Sequence, residues 1–462
     1  MHVNLSFLGA SQTVTGSKYL LEVDHERILI DCGLFQGLKA LRERNWAEFP
    51  VPPDSISALV LTHAHIDHIG YLPKLVKEGF NAPIYCSRAT ADLIPLMLRD
   101  AAKLQEEDAD YARRKGYSKH ADPQPLYTLA DAEATLDLLH PIRLGDDFEP
   151  VPGVKAWYNH AGHILGACWL TMKIMVNGQA KRIVFSGDLG RSIDPLLDPP
   201  DPVHAADVLL VESTYGNRDM IDADPSPALA KIIRETFAAR GCVIIPAFAI
   251  GRTQSVLYYL NKLISRGSIP SCPVYVDSPM AISATQLYAK HGRREEEGFD
   301  GPSPFDFPNL HFTRSQDESK RINSIDEGAI IISASGMVTG GRILHHLFHR
   351  LPRPNDTVLF VGYQGQGTRG RRLLEGESTL RLLGHEVPVR ARIERIEGLS
   401  AHADQAELIE WLQRIDSSPK RTFITHGEPD SSAALASLIR ERLEWENVIV
   451  PEYLSEHALF EA

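Results

Sequence analysis

Apolar and polar positions along the chain change texture twice. From the N-terminus, short apolar runs punctuated by glycine predict strands at Val3–Leu8, Tyr19–Val23, Arg27–Ile30, Ala58–Leu61, Pro83–Cys86, Trp157–His163, Cys168–Val176 and Arg182–Asp188. A helix is expected at Tyr71–Glu78 and another from about Ala89, grading into the charge-dense stretch Gln105–Lys115. That stretch, up to about Pro125, reads most simply as a solvated helix or surface insertion; a substrate-contacting lid is the sharper alternative.

From Asp207 strands alternate with helices. Val208–Val211, Val243–Ala249, Val274–Val276, Ala329–Ile332 and Val358–Val361 read as strands. Between them, Leu229, Ile232, Ile233 and Phe237, then Val256, Leu257, Leu260, Leu263 and Ile264, recur at helical spacing. This alternation predicts βαβ units and a parallel sheet with helices on both faces, whose carboxyl-end loops are where ligands bind. The C-terminal part returns to the first texture, with a strand at Val389–Ile396, a helix through Leu408, Ile409, Leu412 and Ile415, and a strand at Thr422–Thr425.

The strand Ala58–Leu61 runs straight into Thr62-His63-Ala64-His65-Ile66-Asp67-His68. On an extended strand end, His63 and His65 project to one side, because side chains alternate with period two. Asp67 and His68 then fall in the turn opening the next helix, where they face a second point nearby. Imidazole nitrogens with carboxylate oxygens suit zinc better than calcium or magnesium. A lone histidine after a strand is an ordinary structural residue, but three with an aspartate at this spacing are a ligand set.

Further candidates sit at other strand ends. His163 lies in Ala161-Gly162-His163, Asp188 in Gly187-Asp188-Leu189-Gly190, and His426 in Thr425-His426-Gly427. One ion is then held by His63, His65 and His163, and a second by Asp67, His68 and His426, with Asp188 bridging through its two oxygens. Two zinc ions ~3.5–4 Å apart can share one hydroxide and clamp a phosphate, a site for hydrolysing phosphodiesters or acyl bonds.

Composition narrows the class. A chain of 462 residues favours two domains. Contents of 43% hydrophobic and 23% charged residues are those of a globular protein, and no apolar run approaches the ~18 residues that span a bilayer. The N-terminus carries no basic segment followed by an apolar stretch, which leads us to expect a cytoplasmic protein without membrane partners. Cys32, Cys86, Cys168, Cys242 and Cys272 are scattered, and reduced buried thiols are expected. A net charge of −12 argues against a general nucleic-acid-coating protein, though not against a local basic groove around a metal pair.

Gly365-Gln366-Gly367-Thr368-Arg369-Gly370 matches G-x-G-x-x-G after a strand. It comes late in its domain with no clear following strand ending in an acid, so a dinucleotide site is rejected. Its amides with Arg369, Arg371 and Arg372 suit phosphate; a plain glycine-rich turn is the alternative.

The H-x-H-x-D-H segment, preceded by strand-end Asp31 and followed by His163 and Asp188, resembles the metallo-β-lactamase superfamily. Glu212 in Val211-Glu212-Ser213-Thr214-Tyr215-Gly216, His402 in Ser400-Ala401-His402 and His426 are similar to motifs A, B and C of its β-CASP nucleases. Nearly the whole chain takes part, including Ser335-Gly336-Met337 and Gly340-Gly341-Arg342. The resemblance implies an α/β fold: an αββα sandwich from residues 1–208 and 388–462, with an inserted β-CASP domain, a Rossmann-like parallel sheet, at 209–387. It places the active site at their junction, Asp31 as an orienter of ligands, and His402, held by Glu212, as the acid that protonates the leaving 3′-oxygen. Histidine at motif C points to the RNA-acting branch.

The expected function is zinc-dependent hydrolysis of single-stranded RNA, endonucleolytic, with 5′-to-3′ exonucleolytic action as a further option, and with two Zn²⁺ as cofactor. Asp67 is counted among the catalytic residues as well as the ligands. Ser335, Arg342, Gln364 and Arg369 are candidate phosphate contacts, and a homodimer is allowed. The alternatives are a small-molecule thioester hydrolase on the same fold, a DNA-processing nuclease of the same family, and an inactive RNA-binding or scaffold subunit.

Overall fold

The computed structural model describes residues 2–115, 122–219, 224–293, 299, 302–365, 367–396 and 398–460. Gln366 and residues 116–121 of the charge-dense stretch lie outside them. The chain forms two compact units, one from Met1–Asp219 with His402–Ala462, the other from Met220–Ala401.

The first unit contains two seven-stranded sheets. One has the order Glu456–Ala458, Val3–Phe7, Tyr19–Val23, Glu26–Ile30, Ala58–Val60, Ile84–Ser87, Leu139–Ile142. The other runs Val448–Ile449, Arg421–Thr425, Val208–Glu212, Gln179–Phe185, Cys168–Val176, Val154–His160, Asp147–Val151. Alternate residues of both sheets share one apolar core, with Leu5, Phe7, Leu21, Ile28 and Val60 meeting Tyr158, Leu170, Met172, Phe185, Leu210 and Phe423. Leu209 and Val211, on the opposite face of their strand, are buried as well, so that sheet is covered on both sides. Helix Pro429–Leu443 packs on Arg421–Thr425, and helix Arg88–Lys115 on Ile84–Ser87 and Leu139–Ile142. This is the expected αββα sandwich.

Parallel pairing sets where the chemistry gathers. Gln179–Phe185, Val208–Glu212 and Arg421–Thr425 are mutually parallel neighbours, so the residues following them emerge at one edge. Glu26–Ile30 and Ala58–Val60 are parallel likewise, bringing Asp31 beside Thr62 and His63. The two edges are joined where the Cys168 amide donates to the Thr62 carbonyl at 2.9 Å.

The second unit is a six-stranded sheet, entirely parallel, ordered Leu310–Phe312, Val274–Val276, Ile330–Ser333, Val243–Pro246, Thr357–Phe360, Arg392–Arg395. Its core includes Ile244, Ile343, Leu347, Val358 and Phe360. The expected alternation of strands and helices is present. The division of the chain differs: residues 388–401, expected with the C-terminal segment of the sandwich, belong to this unit. There Arg392–Arg395 pairs with Thr357–Phe360, and Val387 and Ala391 enter its core. Residues 209–219 fall on the other side, because Val208–Glu212 pairs with Gln179–Phe185.

Two strands end earlier than their apolar runs suggest. Val154–His160 stops three residues before His163, and Gln179–Phe185 three before Asp188, so both side chains sit on loops. All five cysteines are buried thiols. Among the described residues no helix is long and apolar enough to cross a membrane.

Candidate metal centre

Every sequence-derived ligand lies in the first unit, and the structure brings all seven together. His63, His65, His163 and Asp188 form one group with donor atoms within 4.8 Å of one another; Asp67, His68 and His426 form a second. Asp188, Glu212 and His402 form a third.

The local backbone explains how adjacent residues reach two points. After Ala58–Val60 the chain bends at Thr62, passes the extended His65, and turns into the short helix Ile66–Ile69 carrying Asp67 and His68. That helix is pinned from below. The Ser17 amide donates to the Asp67 carbonyl at 2.9 Å, and the Cys32 amide to the His68 carbonyl at 2.7 Å. Gly33 allows this approach, since a Cβ there would stand 1.5 Å from the Asp67 carbonyl oxygen. Asp31 and His426 both take left-handed backbone conformations, with φ of 57° and 49°, which turns each side chain sharply off its strand.

The ring nitrogens converge closely on one another. His65 Nδ1 lies 3.2 Å from His63 Nε2 and 3.1 Å from His163 Nε2, and His68 Nε2 lies 3.3 Å from His426 Nε2. Asp188 Oδ2 stands 3.4 Å from His63 Nε2 and 3.6 Å from His163 Nε2, while Oδ1 stands 3.4 Å from His68 Nε2 and 3.5 Å from His426 Nδ1. Oδ1 is buried with no hydrogen-bond partner. A tetrahedral ion with ~2.0–2.1 Å bonds to nitrogen separates its ligand atoms by roughly 3.3 Å. An orphaned carboxylate oxygen and imidazoles converging at that spacing fit a metal, and nitrogen–carboxylate donors fit zinc.

Protonation agrees. Burial drives His63 well below the usual imidazole range and His65 down to about 4, keeping both in the neutral, ligating form. Burial pushes the Asp188 carboxyl up, but the His426, His68 and His63 rings outweigh it and hold it well below the usual range. Asp67 is also lowered: burial opposes ionisation, and the hydrogen bond and charge of His426 with His68 and His65 favour it more.

Asp31 sits behind His68. Its Oδ2 accepts from His68 Nδ1 at 2.8 Å and from the Thr62 hydroxyl at 2.8 Å, and its Oδ1 accepts from the Thr62 amide at 2.8 Å. A proton fixed on Nδ1 turns the His68 Nε2 lone pair toward the cluster. Two residues that sequence reasoning missed share this work. Thr62 Oγ1 is 3.1 Å from His63 Nδ1, and Thr214 Oγ1 is 3.1 Å from His426 Nδ1. Threonines beside ligands carry no spacing signal; only adjacency to His63 and Glu212 marked them.

His402 Nδ1 lies 3.2 Å from both Glu212 oxygens and 4.0 Å from Asp188 Oδ2, and its ring faces that of His163 with centroids 4.3 Å apart. Glu212 also accepts from the amides of Leu189 at 2.7 Å and Thr214 at 3.3 Å. Burial pulls the His402 pKa down, but the Glu212 carboxylate, with Asp188 and Asp67, reverses this and raises it to about 9.

The four candidate phosphate contacts lie in the second unit, each bonded within it. Arg342 donates to Asp277 at 2.7 Å and to the carbonyls of Thr313 and Arg314. Gln364, buried, donates to the Gly336 carbonyl at 2.9 Å, and Ser335 Oγ meets Thr339 Oγ1 at 3.0 Å. Arg369 donates to the carbonyls of Arg381, Val338 and Thr339.

Known proteins resemble this chain along most of its length. Residues 14–227 match the model of the metallo-beta-lactamase superfamily, 253–373 that of the Beta-Casp domain, and 386–451 that of a Zn-dependent metallo-hydrolase RNA specificity domain. The chain is 36% identical over 440 residues to ribonuclease TTHA0252 of Thermus thermophilus, covering 94% of this chain and 95% of that one. It is 29% identical over 461 residues to an RNase J-like protein of Methanocaldococcus jannaschii, covering 98% of each. Transcription termination factor FttA of the same organism is 29% identical over 467 residues, 97% of this chain and 70% of FttA. A crystal structure of a protein of unknown function from Enterococcus faecalis shares the fold, with a TM-score of 0.56 at 12% identity over 99% of this chain.

Proposed function

The chain belongs to the β-CASP ribonucleases of the metallo-β-lactamase superfamily, and from that premise we propose that it is a zinc-dependent ribonuclease that cuts single-stranded RNA with two ions. The observation that carries this reading is the single buried Asp188 carboxylate facing both imidazole groups, with the His402–Glu212 pair alongside. His63, His65 and His163 would hold one ion and Asp67, His68 and His426 the other, with Asp188 facing both groups. A zinc pair bound there would supply water activation and electrostatic stabilisation of the scissile phosphate. Asp31 and Thr62 keep the rings oriented. His402, with Nδ1 held by Glu212, delivers the Nε2 proton to the departing 3′-oxygen. Ser335, Arg342, Gln364 and Arg369 serve in this reading as contacts along the RNA. The cytoplasm is the expected compartment, and a homodimer the remaining partner, decided by sedimentation of the intact chain.

Matched RNA and DNA oligonucleotides, end-labelled and incubated with zinc-loaded protein, test the function. Internal cuts in RNA, abolished in His65→Ala and slower on DNA, are expected. Hydrolysis of a small thioester with RNA left intact would overturn the ribonuclease reading. Product ends also separate internal cleavage from 5′-to-3′ release of mononucleotides.

The acid role has its own expected outcome. His402 is protonated below about 9 and loses that proton above. Glu212→Gln removes the main group holding the pKa up, so burial prevails and the alkaline limb of kcat moves to lower pH. At pH 8, kcat falls ~10- to 100-fold while zinc content holds. An unmoved alkaline limb would exclude His402 as the proton donor.

A further inference from the structure

The loop bearing Asp188 and the loop bearing His402 are tied together by three side chains, Arg191, Asp404 and Glu407, to which the hydrolytic chemistry assigns nothing. Arg191, 2% exposed, donates from Nε to Glu407 Oε2 at 3.0 Å and from Nη2 to Asp404 Oδ2 at 3.4 Å. Glu407 Oε2 also accepts from the Asp404 amide at 3.1 Å, and Oε1 accepts from the Ser192 amide at 2.9 Å and the Ser192 hydroxyl at 2.8 Å. Asp404 Oδ1 in turn accepts from the Glu407 amide at 3.0 Å, closing the capping box that starts helix Gln405–Leu412. The circuit then reaches the active groups. The Ala403 amide donates to the Leu189 carbonyl at 2.8 Å, and the Leu189 amide to Glu212 Oε1 at 2.7 Å.

A capping box needs only its own two side chains. Burying a guanidinium against it is costly unless the geometry it enforces is useful. Arginine's planar fork spans two carboxylates at once, which a flexible ammonium does less well. Arg191 is three residues from Asp188, and Asp404 two from His402, so the fork sets the offset between those loops.

We propose that Arg191, acting through Glu407 and Asp404, is a positioning residue that holds His402 in register with Asp188, so that the proton arrives at the leaving oxygen as the phosphate is attacked. The inference rests on the hydrolytic reading above and extends it to residues away from the reacting atoms.

Two substrates separate positioning from general damage. Single-stranded RNA has an alkoxide leaving group that needs a proton; bis(p-nitrophenyl) phosphate has a phenolate that does not. With full-length zinc-loaded protein, Arg191→Met is expected to lower kcat on RNA by ~10²-fold, with KM and zinc content held. The loss on the aryl diester is ~10-fold or less, as for His402→Ala. Arg191→Lys recovers part of the RNA activity. Glu407→Gln, which keeps its shape and alters a less buried group, gives a smaller loss with the same selectivity and decides the matter if Arg191→Met does not fold. Equal losses on both substrates, loss of zinc, or no loss on RNA in the folded variants would overturn the positioning role. A wild-type chain that cleaves neither substrate overturns the hydrolytic reading itself, and this inference with it.

Discussion

Asp188→Ala is expected to leave fewer than two zinc ions per chain after dialysis and to slow RNA cleavage at least ~10³-fold, the scale of losing a principal electrostatic group in a closed site. The reason lies in its position. Its Oδ2 faces His63 and His163, its Oδ1 faces His68 and His426, and only 2% of the residue is exposed. Neither group of ligands has another carboxylate shared with its neighbour. In the two-ion reading proposed above, truncation would remove one donor from each ion and the negative charge that offsets their mutual repulsion. Asp188→Asn keeps the volume and loses the charge; it should retain more metal than the alanine variant and remain strongly impaired. Metal analysis with single-turnover cleavage checks both. An alanine variant holding two ions and within ten-fold of wild-type rate would exclude the bridging role.

That site was legible because its ligands obey local rules. His63 and His65 fall in one candidate ligand group, and Asp67 and His68, on the next turn, in a second, so one hexapeptide supplies both groups. His163 and Asp188 could be placed at strand ends, yet they sit three residues past the strands, on loops whose Gly162 and Gly187 adopt positive φ. Edge strands were the weak point. Leu139–Ile142 contains Pro141 and Asp147–Val151 contains Pro150; each lies at the rim of its sheet, where a missing amide is tolerated and the apolar alternation is diluted. The compact units divide the chain differently from the expected domains for another reason. Periodicity announces a strand at Arg392–Arg395 and cannot say which sheet it joins. Arg191 was invisible altogether, since one arginine in a glycine-containing loop has no pattern, whereas Asp404 and Glu407 stand at capping-box spacing.

Arg350→Met should be the most destabilising single change in the second unit, about 3–5 kcal/mol, the cost of leaving a buried charge without its partner. Arg350 and Asp356 are 0% and 1% exposed and meet at 3.3 Å. The arginine does more than neutralise. Its Nη2 donates to the carbonyls of Ile322 at 2.9 Å and Ile325 at 2.7 Å, closing the end of helix Gln316–Ile322. Asp356 meanwhile accepts from the Cys242 amide at 2.8 Å, at the entrance to the central strand Val243–Pro246. Removing the guanidinium strands one carboxylate and two carbonyls beside the middle of the sheet. Methionine fills comparable volume, so the loss reads charge and hydrogen bonding more than a cavity. Amide hydrogen exchange resolves the effect by region, which a single melting temperature of a two-unit chain does not. Amides of Val243–Pro246 and Ile330–Ser333 should exchange ~10²- to 10⁴-fold faster, with Cys168–Val176 in the sandwich unchanged. Adding Asp356→Asn discharges the stranded carboxylate while keeping an acceptor for Cys242, so the double variant should be more stable than Arg350→Met alone. If the second change deepens the loss instead, the buried ion pair is not what holds this corner of the sheet.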